Sequence, residues 1–208
     1  MRVRLAVLVP LAAALCVLAQ GTAVAAATGV TISNYMFAPT PVRVRLGGQV
    51  TWTNDGPSQH TTTSDGVNDG SSYKGLGLWA SGPLTKSATF SFTFAAAGTF
   101  PYHCSIHTFM RGTIRVPMSA SPKTGQQGTV FTLKWASAAP SGSLVFDVQE
   151  KAPGGAFTTI ENGVTIMSAT VKPAAPGTYS FRARERNTAT GAAGGYSPAA
   201  KIVVTAAG

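Results

Sequence analysis

The sequence predicts an all-β protein made of two consecutive sandwiches, and three observations carry that expectation. No window of the 208 residues sustains a helical period. Residues 30–116 instead consist of short runs in which apolar and polar residues alternate, divided by Gly, Pro, Asn and Ser turns. The alternation lapses between Pro117 and Gly128, in "PMSASPKTGQQG", and then resumes in a second set of strands.

The first 27 residues read as an export signal. Arg2 and Arg4 make a basic start, Leu5–Leu18 is an uncharged apolar run, and Ala23-Val24-Ala25 and Ala25-Ala26-Ala27 offer small-residue cleavage sites. The run is shorter than the roughly 20 residues a membrane span needs. Leu15 precedes Cys16 where a lipid-attachment signal would carry a small residue. Cleavage leaves about 180 residues and no later apolar run long enough to cross a bilayer. A secreted or cell-envelope location follows. The net charge of +9 falls by two, to +7, once Arg2 and Arg4 are removed. The tightest basic group, Arg182, Arg184 and Arg186, lies at strand period on one face. Nucleic-acid binding would need a denser patch with interleaved aromatics and is excluded; a mildly cationic surface suits acidic partners or an anionic envelope.

Residues 28–116 form the first domain. Val42, Val44 and Leu46 alternate with Arg43 and Arg45, Gly47-Gly48 turns the chain, and Val50 and Trp52 then alternate with threonines. Phe90, Phe92 and Phe94 alternate with Thr89, Ser91 and Thr93, as in an antiparallel sandwich or barrel. Residues 117–128 read as a linker or first-edge segment, and 129–208 as the second domain. Its strands are "VFTLKW" (130–135), "LVFDVQ" (144–149), "VTIMSATV" (164–171), "TYSFRAR" (178–184) and "AKIVVT" (200–205), and it contains no Cys or His.

The chemistry therefore concentrates in the first domain, in "PYHCSIHTFMRG" (101–112). After cleavage Cys104 is the one cysteine left, so no internal disulfide is available and the thiol needs another reason to be there. Period-two geometry puts Phe100, Tyr102 and Cys104 on one strand face, expected to be the buried one. It puts Pro101 and His103 on the other, expected to face solvent. Beyond Cys104 the chain must turn into the alternating "TIRV", which brings His107 and Met110 back toward the thiol. A thiolate, an imidazole and a thioether make a soft donor set that favours copper over hard cations. His60, in "NDGPSQHTTTSD", is the remaining histidine able to complete it. His60, Cys104, His107 and a weak axial Met110 make the trigonal blue-copper arrangement. Zinc is the alternative metal, and it has no redox cycle.

At this point the residues resemble a known family. "F-x-P-x-x-V-x-V-x-x-G" at Phe37–Gly47, "V-T-W-x-N" at 50–54, His60, and "AAGTFPYHCSIHTFMRGTIRV" to Val116 are similar to the cupredoxins, the plastocyanin and amicyanin-like blue copper proteins. The short Cys-x-x-His-x-x-Met loop is closest to that of amicyanin. The resemblance implies a Greek-key sandwich holding one type 1 copper, with His60, Cys104, His107 and Met110 as ligands. Ile106, where proline is common, and Thr61, where asparagine is common, depart from the pattern; they bear on loop stiffness and potential and remove no ligand. A histidine beside the cysteine ligand serves a second copper centre in copper nitrite reductases and multicopper oxidases. Three histidines are too few for that here, so no enzyme is expected.

"PGTYSFRARERN" (176–187), Trp135 and "GYSPAAKIVV" (195–204) resemble a fibronectin type III domain, an immunoglobulin-like sandwich, over about residues 118–206. Tyr179 sits where that family's corner tyrosine bonds back to the preceding connection. Trp135, Tyr179 and Tyr196 are expected as core, with a glycan-binding surface as the rival role. The implied function is an exported one-electron carrier. A redox partner would dock beside His107 on an apolar rim of Phe109, Pro57 and Met36, and the second domain would act as a spacer or contact the cell envelope or a glycan. The alternative is extracellular copper delivery, with a copper donor or acceptor as partner.

Overall fold

The computed structural model describes residues 27–65 and 75–208. The export segment through residue 26 lies outside the described residues. Among them there is no helix, and so none long and apolar enough to cross a membrane.

The first sandwich packs two four-stranded sheets. One is built from β1 (Thr28–Ser33), β2 (Met36–Ala38), β4 (Gln49–Asn54) and β6 (Thr89–Thr93), in the order β2-β1-β4-β6. The other is built from β3 (Val42–Arg43), β5 (Thr63–Ser64), β7 (Gly98–His103) and β8 (Arg111–Val116), in the order β3-β8-β7-β5. The alternation read from sequence selects the inner faces: Val30 and Ile32 in β1, Val50 and Trp52 in β4, and Phe100 and Tyr102 in β7 are buried. Inside, Trp52 meets Trp79 and Tyr102 at centroid separations of 5.6 and 5.5 Å, the second edge-to-face.

The pairing is mixed, which corrects the expectation of a purely antiparallel sandwich. β1 runs parallel to β4, and β3 parallel to β8. Neither pair is joined by a hairpin: the chain leaves β1 through β2 and crosses to the other sheet at β3 before returning as β4. Strands joined by such crossings need not be antiparallel.

The second sandwich sets a five-stranded sheet, β10-β16-β15-β12-β13, against a three-stranded one, β14-β11-β9. Its strands are β9 (Ser119–Ser121), β10 (Thr124–Gln126), β11 (Phe131–Lys134), β12 (Leu144–Lys151), β13 (Phe157–Val164), β14 (Ser168–Val171), β15 (Gly177–Asn187) and β16 (Ala200–Thr205). Residues 117–128 thus contain edge strands of this unit, with β9 pairing β11 and β10 pairing β16. β13 is a strand that the sequence pattern does not mark, because "FTTIENGV" shows no alternation and none of its residues is fully buried. Trp135 and Tyr179 are core residues. Tyr179 donates its hydroxyl to Ala175 O at 3.0 Å. Tyr196 is half-buried, with the Arg182 and Arg184 guanidinium groups over its ring at 4.5 and 4.8 Å.

The two sandwiches are stitched together by backbone. Ala97 N donates to Trp135 O and Ser137 N to Ala95 O, each at 2.8 Å. Thr99 and Gly195 exchange both their hydrogen bonds.

Candidate metal centre

Two loops at one end of the first sandwich carry the donor groups. Asn54, at the end of β4, braces the first of them. Its side-chain amide donates to Ser58 O and Leu84 O at 2.8 and 2.9 Å, while its Oδ1 accepts from Gly56 N at 3.0 Å. His60 follows and is pinned by a two-way backbone bridge with Leu84. The second loop leaves β7 at Cys104 and closes on itself, with Met110 N donating to His107 O and Cys104 N to Met110 O. The seven-residue stretch from Cys104 to Met110, closed in this way, carries Cys104, His107 and Met110 on one loop.

Three of the four expected donors converge. Cys104 Sγ lies 3.9 Å from His60 Nδ1 and 3.7 Å from His107 Nδ1, and the two imidazole nitrogens are 3.1 Å apart. First-row metal bonds of about 2.3 Å to thiolate and about 2.0 Å to imidazole, splayed by about 120°, separate sulfur from nitrogen by about 3.7 Å. The triangle therefore fits a single metal ion. Met110 is buried at the base of the loop. His60 Nε2 lies 3.1 Å from Asn34 Oδ1, and donation there leaves the Nδ1 lone pair facing the other donors. Burial, and secondarily the nearby His107, push the His60 pKa down, which favours the neutral, ligating imidazole.

The surroundings of the sulfur are equally organised. Thr61 N and His107 N both donate to Cys104 Sγ, at 3.3 and 3.4 Å. The Thr61 hydroxyl accepts from Ser105 N at 2.7 Å and lies 3.1 Å from Thr63 Oγ1, which itself reaches Ser105 Oγ at 2.9 Å. This hydroxyl ladder ties the His60 loop to the Cys104 loop. The Thr61 departure from the family pattern thus keeps a polar cross-link between the ligand loops.

His103 requires a correction. It does point away from Cys104, as the period predicts, but it is fully buried rather than solvent-facing. Asp65, at the end of β5, covers that face: its N–H bonds Pro101 O, and its carboxylate meets His103 Nδ1 at 2.9 Å. A strand face read as outer is an inner one wherever another segment folds over it. Two residues escaped sequence reading altogether. Asn34 is remote in sequence from every ligand, and Tyr35, in the β1–β2 turn, places its ring 4.8 Å from that of His107. Their clustering with Met36 in one turn was the available signal.

Around the half-buried His107 the surface is apolar. Tyr35, Met36, Ile106 and Phe109 are 48, 58, 47 and 69% exposed, far above what such side chains show in a core. Phe109 stands 6.2 Å from the His107 ring.

Residues 24–117 match the family described as copper binding proteins of the plastocyanin/azurin type. The chain is 35% identical to amicyanin-alpha of Methylorubrum extorquens over 93 residues, which is 44% of this chain and 73% of that protein. Against amicyanin of Paracoccus denitrificans it is 33% identical over 88 residues, 42% of this chain and 63% of the relative. Among solved structures, a purple cupredoxin from Nitrosopumilus maritimus aligns with 43% of this chain and 98% of its own, at 27% identity and a TM-score of 0.38.

Proposed function

This chain belongs to the plastocyanin/azurin family of copper-binding proteins, whose members hold a type 1 copper, and on that premise we propose that it is an exported one-electron carrier. His60, Cys104 and His107 would hold the copper, with the Met110 thioether as a further, weaker donor. The observation that carries this reading is the convergence of Cys104 Sγ and the two Nδ1 atoms, with His60 Nε2 held by Asn34.

Copper bound to these residues supplies reversible one-electron chemistry and an intense thiolate charge-transfer colour. The chain's own groups set the conditions for it. The two N–H donors on Cys104 Sγ withdraw charge from the thiolate and favour the reduced state. The hydroxyl ladder and the Leu84 bridge keep the donors in place through a change of charge, so little reorganisation is needed. Buried His60 excludes water from one side of the site, while half-buried His107 brings the other to the surface. Electrons would leave by the His107 ring edge. The rim of Tyr35, Met36, Ile106 and Phe109, with exposed Pro57 in the His60 loop, would seat a redox partner protein.

Residues 1–27 act as the export signal, 28–116 as the copper domain, and 129–208 as a fibronectin type III-like spacer or adhesion module. The Tyr179–Ala175 hydrogen bond supports the last reading. A second copper centre of the enzyme type finds no support, because two of the three histidines belong to the first site and His103 is engaged with Asp65.

Titration of the purified protein with Cu(II), followed by visible absorption, tests the assignment. One equivalent should produce an intense blue band that is absent in Cys104→Ser; a colourless complex would count against a type 1 site. Repeated reduction and reoxidation beside a Cu(I) chelator then separates carriage from delivery. A carrier keeps its copper, and a delivery protein yields it.

A further inference from the structure

Strand β15 carries a carboxyl group where its pattern calls for a core residue. Tyr179, Phe181 and Ala183 alternate onto the buried face, and Glu185 is the next member of that row, only 7% exposed. It lines a cleft of about 270 Å3 between the two sandwiches. Phe92, Phe94 and Phe100 form the wall on the copper-domain side, and Leu144 and Phe146 form it on the other.

Among the described residues no side chain forms an ion pair with this carboxylate. Arg184 and Arg186 flank it in sequence, but period two sends them to the opposite face of the sheet, where both are bound to Asp147 at 3.0 and 2.9 Å. Among the described residues no other titratable side chain lines the cleft. Burial pushes the Glu185 pKa up to about 7. An anion left unpaired in apolar surroundings is costly, and a cation arriving beside it is favoured. Phenylalanine side chains line the same cleft, and aromatic rings add attraction for a cation seated over them. The volume has room for roughly eight to ten non-hydrogen atoms.

We propose that the cleft between the sandwiches binds a small organic ammonium ion, its charged head on Glu185 and its apolar body among the phenylalanine rings. The site is separate from the copper centre: Phe100 lies in the first half of β7 and Cys104 just beyond its far end, and the cleft residues belong to neither ligand loop.

Benzylammonium, a probe of that size, can be titrated into the full chain by calorimetry at pH 8, with benzyl alcohol as the uncharged analogue. Saturable binding of the ammonium is expected, with the alcohol at least tenfold weaker. Because a proton on Glu185 competes with the cation, affinity should fall about tenfold for each pH unit below about 7. Glu185→Gln, with its fold checked by circular dichroism, should weaken the ammonium at least tenfold and abolish the pH dependence. Absent saturation, equal binding of the alcohol by the wild type, or unchanged affinity in Glu185→Gln would overturn the proposal. The alcohol comparison decides even if the variant does not fold.

Discussion

At the residue scale, the weakest and the least exposed groups at the copper site make the most distinct predictions. Met110 is the proposed weak fourth donor, and a thioether disfavours the harder Cu(II). Met110→Gln, offering an amide oxygen, should stay coloured but have a lower potential, with about 59 mV for each tenfold change in the one-electron equilibrium. Cyclic voltammetry reads this directly, and a wild-type potential would mean that Met110 only packs. His103 behaves differently. Strand period turns it away from Cys104, so His103→Ala should keep the blue band, but the substitution leaves the Asp65 carboxylate in a largely covered site without its imidazole. A loss of about 2 kcal/mol of stability is expected, measured by urea denaturation at unchanged absorption maximum. Unchanged stability would remove any structural role for the pair.

At the scale of elements, the β7–β8 hairpin decides whether the ligand loop has a floor. Tyr102 stands directly opposite Gly112 in that ladder, and a Cβ on Gly112 would fall within the Tyr102 ring. The glycine is there because the aromatic ring occupies the space a side chain would need. Tyr102 has few places to move to, since it is wedged against Trp52 and Phe37. Gly112→Ala should cost about 3 kcal/mol, at the upper end of overpacking. It should also broaden the copper absorption, because Cys104 lies two residues beyond Tyr102. A thermal melt within a degree of the wild type would show that the hairpin can yield.

At the scale of the whole molecule, the contact between the sandwiches sets two expectations. A fragment ending near Val116 contains every proposed ligand and the aromatic core around Trp52, so it should fold and turn blue with copper. It loses the backbone bonds to Trp135, Ser137 and Gly195, so its melting temperature should fall below that of the full chain. A fragment that neither folds nor colours would show that the two units form a single cooperative core. The second expectation follows from Glu185. Its folded pKa, about 7, lies above the ordinary glutamate value of 4.5, so the folded state binds the proton more tightly. Stability is then greatest below about pH 4.5 as far as this group is concerned, and declines as pH rises to about 7. The loss is on the order of 3 kcal/mol. Denaturation midpoints of Glu185→Gln should lack that decline; a parallel pH profile in the variant would place its origin elsewhere.

Period-two alternation and donor chemistry were legible in the chain alone. Val30, Trp52, Phe94 and Tyr102 point inward because successive strand residues take opposite faces, and the spacing from Cys104 through His107 to Met110 fits one short loop around one soft metal. Those are local properties, set by backbone geometry and by what sulfur and imidazole bind. What lies across from a strand is not local. The burial of His103 depends on Asp65 folding over its face, the orientation of the His60 ring depends on Asn34 arriving from the β1–β2 turn, and β13 forms because β12 offers an edge to pair with rather than because its own residues alternate. The parallel pairs β1–β4 and β3–β8 likewise result from crossings between sheets. The charge of Glu185 acquires meaning only once a second sandwich closes a cleft around it. Tertiary structure decided these features because each depends on which distant segment removes water from a given face.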